Sequence, residues 1–177
     1  MATYAVPSGA GLGGYARRRQ EWKHVGELSV SGASWLTLVT PGNCWNGGEF
    51  YGPPDYNSLV LLERYFEKYP EDADKVIISI KGGLNPKTHQ LDASPENTRR
   101  TIDDSIAQLK GRKKIDLFEF GRRDPAVPME VTFSVIDKEY VQTGKIGGIS
   151  LSEVRAETIH EAVKHTKVLA VEVELSL

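Results

Sequence analysis

From residue 43 onward the sequence alternates between short β-branched runs and longer stretches with helical periodicity. The run at 76–80 is continuous and apolar, which is typical of a strand buried on both faces. Residues 94–110 predict the clearest helix, since Ser94 is a good N-cap and Pro95 suits the first helical position. This alternation predicts right-handed βαβ units around a parallel sheet. A doubly wound sheet and a β/α barrel both satisfy it.

The remaining elements follow from the same reasoning. It predicts strands at 115–120, 146–150 and 168–173 and helices at 57–69, 129–142 and 154–165. The stretch 129–142 is ambiguous, because its valines and threonine favour a strand while its aromatic spacing fits a helix. We predict a helix there, since a crossover is needed. Residues 27–40 have weak strand character and no helical period, so the first βα unit is expected to be poorly formed or missing.

Length and composition bound the class of protein. A chain of 177 residues fits one domain, and a net charge of -2 provides no basic surface for nucleic acid or a membrane. Cys44 is the only cysteine, which suits a reducing compartment and excludes an intrachain disulfide. No apolar run approaches membrane-spanning length, and the first residues lack a signal core. These features predict a soluble, cytoplasmic protein.

Two side chains stand where β/α folds place their chemistry, at the carboxyl ends of strands. The turn-rich stretch 45–54 carries Tyr51, and Lys81 directly follows the predicted strand 76–80. Taken alone, each is more commonly a packed aromatic or a solvated strand end. The four histidines form no metal motif, and the glycines within 8–14 lack the GxGxxG spacing of a nucleotide fingerprint.

Five segments, in order, resemble the aldo/keto reductase family, and within it the fungal pyridoxal reductases. They read WNGGEFYGPP, SIKGG, SPENTRRTIDDSIAQLKGRKKIDLFEFGRRDPAVP, GKIGGISLSEV and AVEVELSL. The resemblance covers residues 43–177, and the stretch 8–14 resembles the family's opening glycine-rich hairpin. Residues 15–42 do not resemble the family's first strand and helix.

The resemblance implies one domain over 1–177 with an incomplete (β/α)8 TIM-type barrel, preceded by the glycine-rich hairpin. About six parallel strands are expected where the family has eight. The family's last barrel segment has no counterpart in this sequence. Strand 168–173 is therefore expected to be an apolar edge strand. Either it pairs with another copy of the chain, or the stretch 27–40 covers it in cis; we favour self-association or poor solubility.

The resemblance also assigns catalytic residues. Tyr51 matches the family's general acid and Lys81 its activating lysine. An ammonium beside a phenol favours the phenolate and makes the phenol a better proton donor. Asn46 stands where the family has an aspartate; its side chain can still hydrogen-bond Lys81 but cannot pair its charge. Gly121 stands where the family has a histidine, and its small size leaves room for a pyridine ring.

The implied cofactor is NADPH. Ser150 and Glu172 match the family's contacts to the nicotinamide amide, whereas its grip on the 2′-phosphate has no counterpart here. The implied reaction is reduction of an aldehyde, with pyridoxal to pyridoxine, a step of vitamin B6 metabolism, as the expected case. The rival hypothesis is a non-catalytic relative that acts only as a binding or interaction protein.

Overall fold

The computed structural model describes residues 2–5, 37–39 and 44–173. Its strands are β1 Ala2–Ala5, β2 Thr37–Val39, β3 Cys44–Gly48, β4 Ile77–Gly82, β5 Leu117–Phe120, β6 Ile149–Ser152 and β7 Val168–Val173. Its α-helices are α1 Ser58–Lys68, α2 Pro95–Gln108, α3 Met129–Ile136 and α4 Ala156–Ala162. A π-helical turn, Asp137–Val141, extends α3, and short 3-10 turns at Pro54–Tyr56 and Pro70–Asp72 flank α1.

One sheet contains every described strand, in the order β1-β7-β6-β5-β4-β3-β2. Strands β3 to β7 are parallel, and a helix joins each of them to the next. The sheet curls into half of a barrel, so the predicted incomplete barrel is confirmed. It has five parallel strands rather than about six, because β1 and β2 pair antiparallel at the two edges.

The two antiparallel strands correct the expectation for the sheet edges. Strand β7 is not unpaired: β1 lies along it, with Ala2 opposite Val173 and Ala5 opposite Ala170. Within the predicted strand region 27–40, residues Thr37–Val39 pair with β3 instead of forming a further parallel strand. The glycine-rich stretch 8–14 lies outside the described residues.

Local capping explains where the first two helices begin. The Asn57 side chain accepts the backbone N–H of Val60 at 3.0 Å, and α1 then buries an apolar face against the sheet. The predicted Ser94 cap is confirmed, since its hydroxyl accepts the backbone N–H of Asn97 at 3.3 Å. Helix α2 buries Thr101 as well as Ile102, so its inner face is partly polar. The ambiguous segment 129–142 is helical, as predicted.

Side chains alternate between two environments along the parallel strands, as a strand's period of two requires. Trp45, Ile78, Ile80 and Phe118 are fully buried and belong to the large apolar core. The intervening residues instead line a narrow cavity inside the barrel. They are Cys44, Asn46, Ser79, Leu117, Glu119, Ser150, Ala170 and Glu172. The apolar layer stabilises the fold, and the polar interior layer carries the candidate chemistry.

Candidate active site

Tyr51 lies on the loop between β3 and α1, and backbone contacts fix its position. Its N–H donates to the Gly48 carbonyl at 3.1 Å, and its carbonyl accepts the Ser58 N–H at 2.9 Å. The ring packs against Gly48, where an added Cβ would lie 3.1 Å from the ring atoms Cγ and Cδ1. The glycine therefore leaves space for the aromatic ring at the strand end.

Lys81 is within β4 rather than after it, paired in register with Gly48 and Glu119. The sequence-predicted strand ended too early, because this buried lysine continues the ladder between two neighbouring strands. Its side chain is 9% exposed, and Nζ lies 5.9 Å from the centroid of the Tyr51 ring. The fold thus brings the two predicted catalytic residues together.

Asn46 is buried within β3 and contacts two acids. Its Nδ2 donates to Glu119 Oε1 at 2.7 Å and to Glu172 Oε2 at 2.5 Å. The possible hydrogen bond between Asn46 and Lys81 is not formed. Lys81 instead donates to Glu172 Oε1 at 2.5 Å and lies 3.7 Å from Glu119 Oε1. Within the described residues, Asn46 Oδ1 has no hydrogen-bond partner.

Burial and charge shift the proton affinities of this cluster. Burial raises the pKa of Glu119 to about 7; the Lys81 ammonium opposes this shift, and the Glu172 carboxylate adds to it. For Lys81, burial acts to lower the pKa, but the hydrogen bond to Glu172 and the charge of Glu119 outweigh it and raise the pKa overall. The lysine is therefore an ammonium at neutral pH, held between two acids.

Ser150 and Glu172, the predicted cofactor contacts, both face the interior cluster. The Ser150 hydroxyl lies 3.3 Å from Glu119 Oε2 and 3.2 Å from the Ser79 hydroxyl. Two residues further along β6, Ser152 is fully buried, and its Oγ has no hydrogen-bond partner among the described residues. The sequence reasoning missed Ser152, although it shares the GISLSEV motif with Ser150.

A cavity of about 220 Å³ opens beside Tyr51 and Lys81. Its walls also include Phe50, Leu84, Leu91, Gly121 and Arg122. A side chain at Gly121 would find no atom within 4 Å of its Cβ, so the glycine leaves open space there. The pocket is mainly apolar, with a few polar groups at one wall, as is usual for small-molecule sites.

Two acidic residues that the sequence reasoning missed support this site. Glu119 is a charged residue within the otherwise apolar strand LFEF. A charge in a buried strand was the sequence feature that could have identified it as a site residue. Glu49, two residues before Tyr51, accepts the Thr101 hydroxyl at 2.5 Å and is ion-paired with Arg100. The contacts of Glu49 with Thr101 and Arg100 connect the Tyr51 loop to α2.

The model of the aldo/keto reductase family matches residues 40–177. The chain belongs to the aldo/keto reductase family. A solved glycerol dehydrogenase from Gluconobacter oxydans superposes with a TM-score of 0.64 at 20% identity. The superposition covers 76% of this chain and 41% of that structure, and at this identity it supports the fold alone.

Among relatives of this aldo/keto reductase, a probable pyridoxal reductase 2 of Schizosaccharomyces pombe is 45% identical over 167 residues. The alignment covers 85% of this chain and 50% of the relative. A putative pyridoxal reductase of Saccharomyces cerevisiae is 37% identical over 142 residues, covering 75% of this chain and 40% of the relative. The chain therefore spans half or less of the length of these two relatives.

Two further features of the described residues bear on membranes and metals. None of their helices combines the length and apolar character needed to cross a bilayer. In the same ranges, no three His, Cys, Asp or Glu side chains lie together as metal ligands would.

Proposed function

We propose that this chain is an NADPH-dependent reductase of aldehydes, with pyridoxal to pyridoxine as its reaction and residues 1–177 as one catalytic domain in the cytoplasm. The observation that carries the proposal is the shared cavity of Tyr51 and Lys81, in which Nζ is 5.9 Å from the tyrosine ring. The names of the two relatives favour pyridoxal as the aldehyde.

In the proposed reaction, the Tyr51 hydroxyl donates its proton to the carbonyl oxygen of the aldehyde. NADPH, when bound, supplies the hydride that the carbonyl carbon receives. The Lys81 ammonium stabilises the negative charge that develops on the phenolic oxygen as the proton leaves. Burial strengthens this electrostatic effect, because little water screens the lysine.

The cofactor fit rests on the hydroxyl of Ser152, which has no hydrogen-bond partner among the described residues. A buried hydroxyl with no protein partner is costly unless a ligand or water satisfies it, and an amide of nicotinamide is a suitable partner. Ser150 and Glu172 remain candidates, but their polar atoms already contact Ser79, Lys81, Asn46 and Glu119. We therefore expect Ser152 to contribute most of the hydrogen bonding to the nicotinamide amide.

The space at Gly121 supports an aromatic aldehyde. The glycine lines the cavity, and an added Cβ there meets nothing within 4 Å. Replacing it with leucine should fill this space, raise KM for pyridoxal and leave a small aliphatic aldehyde less affected. Equal effects on both aldehydes would argue against an aromatic substrate.

Calorimetric titration with NADPH and NADH tests the cofactor assignment. We expect heat of binding with both cofactors, because the nicotinamide amide that Ser152 is proposed to hold is common to NADPH and NADH. Ser152→Ala should weaken binding about 5-fold, the effect of one lost hydrogen bond. Ser150→Ala, on the same strand, is the matched control and should matter less.

Absence of measurable heat with either cofactor would contradict the reductase proposal and favour a non-catalytic role. Tight, NADPH-selective binding would instead assign the phosphate grip to other basic groups at the mouth, such as Arg122 or Arg123.

A further inference from the structure

Four buried polar side chains from four strands meet inside the barrel. They are Asn46, Lys81, Glu119 and Glu172, with exposed fractions of 2%, 8%, 1% and 4%. They are far apart in sequence, and β7 supplies one of the two acids. Charged groups this deeply buried are stable only when they are paired and hydrogen-bonded.

The distances divide the two acids into different roles. Lys81 Nζ lies 2.5 Å from Glu172 Oε1 but 3.7 Å from Glu119 Oε1. The shorter contact is a charge-assisted hydrogen bond, the stronger kind, whereas the longer one is a looser ion pair. Glu172 is therefore the direct counter-ion of the lysine.

Asn46 connects the two acids. Its single Nδ2 group donates to one oxygen of Glu119 and one of Glu172. An aspartate at this position has no N–H to donate and would place a third carboxylate around one ammonium. The geometry therefore requires a neutral donor at position 46.

We propose that Glu172 is a positioning residue that holds the Lys81 ammonium beneath the Tyr51 ring, and that Asn46 clamps this ion pair only because it is uncharged. The consequence for catalysis rests on the proposed reductase function. The counter-ion role itself rests on the contacts alone. The raised pKa of Glu119 is consistent with it, since below about pH 7 a protonated Glu119 leaves one ammonium facing one carboxylate.

Variants that add an acid at position 46, or move the acid from position 172 to position 46, test this arrangement through their Tm. N46D alone should lower Tm at pH 8 by roughly 5–10 °C, because it adds an unpaired buried charge. Most of the loss should be recovered near pH 5, where the added carboxylate takes up a proton. The double variant N46D/E172Q restores one acid and one amide around Lys81, so its Tm at pH 8 should return towards that of the wild type.

Among the described residues, the ionisable groups that face the cluster are Tyr51 and Cys44, and its own ionisable members are Lys81, Glu119 and Glu172. Ser79→Ala is the matched control, because it alters the same cavity without changing its charge. Its Tm should show the same pH dependence as that of the wild type.

Chemical labelling reports on the lysine directly. In E172Q the ammonium loses its closest partner while it remains buried, so its pKa should fall. Acetylation of Lys81 at pH 8, measured by mass spectrometry relative to exposed Lys87, should then rise several-fold. N46D/E172Q should return this ratio to the wild-type value.

The outcomes separate this inference from the proposed function. Unchanged labelling of Lys81 in E172Q would overturn the inference. So would a drop in the Tm of N46D/E172Q that equals the sum of the drops in the two single variants. If the wild type shows no reductase activity, the proposed function fails, while Tm and labelling still decide the counter-ion role. In an active enzyme, E172Q should lower kcat more than it raises KM, and the double variant should recover kcat.

Discussion

At the scale of single residues, the site depends on small groups that leave space for large ones. Gly48 lets the Tyr51 ring pack on the strand end, and Gly121 leaves open space in the same cavity. Lys81 lines that cavity, is buried, and carries a charge that two acids balance. Each contact predicts a separate effect of substitution.

Tyr51→Phe should remove most of any aldehyde reduction without unfolding the chain, because it deletes only the proton donor. Loss of a positioned general acid costs about 100-fold or more in rate. Tyr56→Phe is the matched control, since Tyr56 is five residues away and 49% exposed. Steady-state rates with Tm measured in parallel test this. An unchanged rate in Tyr51→Phe would exclude the tyrosine as the acid.

Glu119→Gln should change how stability depends on pH. The folded-state pKa of Glu119 is raised to about 7, above its ordinary value of 4.5, so the folded chain holds the proton more tightly than the unfolded chain. Stability contributed by this group is therefore lost as pH rises from about 4.5 to about 7. The glutamine variant avoids that loss and should be more stable than wild type at pH 8, by up to about 3 kcal/mol.

Denaturant unfolding at pH 5 and pH 8 measures the difference. Glu71→Gln, at an exposed position, serves as the control and should behave like the wild type. A variant less stable than wild type at pH 8 would show that the Glu119 carboxylate stabilises the fold, and would contradict a raised pKa.

The sequence predicted that Tyr51 and Lys81 belong to one site, but it did not predict the hydrogen-bond partners of the polar side chains buried inside the barrel. The resemblance to the family assigned Tyr51 and Lys81 to one site, and the two residues lie at the ends of the neighbouring strands β3 and β4. The partners of Asn46 are 73 and 126 positions away, on β5 and β7. Contacts across the inside of a barrel depend on strand tilt and curvature, which local periodicity does not encode.

At the scale of elements, the joint between β4 and α2 is the tightest part of the site's support. Gly83 has a φ of +92°, and an added Cβ would lie 2.1 Å from Phe120 Cδ1. Gly111 has a φ of +73° at the end of α2, but an added Cβ meets nothing within 4 Å. Both glycines have a positive φ, but only at Gly83 would an added Cβ collide with a neighbouring side chain.

Gly83→Ala should therefore destabilise the fold by about 3 kcal/mol, the combined effect of left-handed strain and overpacking. Gly111→Ala, its matched control, should cost only about 1 kcal/mol from the strain. Urea unfolding of both variants tests the contrast. Equal losses would show that the Phe120 ring moves aside at little cost.

Helices and parallel strands were predictable because their signals are local. The caps at Asn57 and Ser94 and the apolar runs of β4 and β7 act over a few residues. The end of β4 was predicted too early, since a lysine does not look like a buried strand residue until its ion pair is known. The helix at 129–142 was correctly chosen from topology rather than propensity.

At the scale of the whole molecule, a half barrel has two edges that need protection. The six-residue β7, mostly apolar, is covered by the four-residue β1, and β3 is covered by β2. Short antiparallel strands of this kind limit pairing with other chains. The sequence did not predict this cover, because Ala2–Ala5 is too short to give a periodic signal.

Removing residues 1–5 should expose the backbone of β7 and increase self-association. Sedimentation across a concentration series should show a larger mean mass for the shortened chain than for the full chain. A matched change that keeps the length, Thr3→Pro, should act in the same direction by removing a backbone N–H from β1. Identical sedimentation of all three chains would contradict the protective role of β1.

The central claim is that this half barrel retains a working Tyr51–Lys81 pair. The most direct measurement is pyridoxal-dependent oxidation of NADPH by the purified 177-residue chain, run beside Lys81→Met. The account predicts turnover by the wild type and a loss of about 100-fold or more in the variant. A wild-type rate equal to the protein-free background, or equal rates in the two proteins, would contradict it.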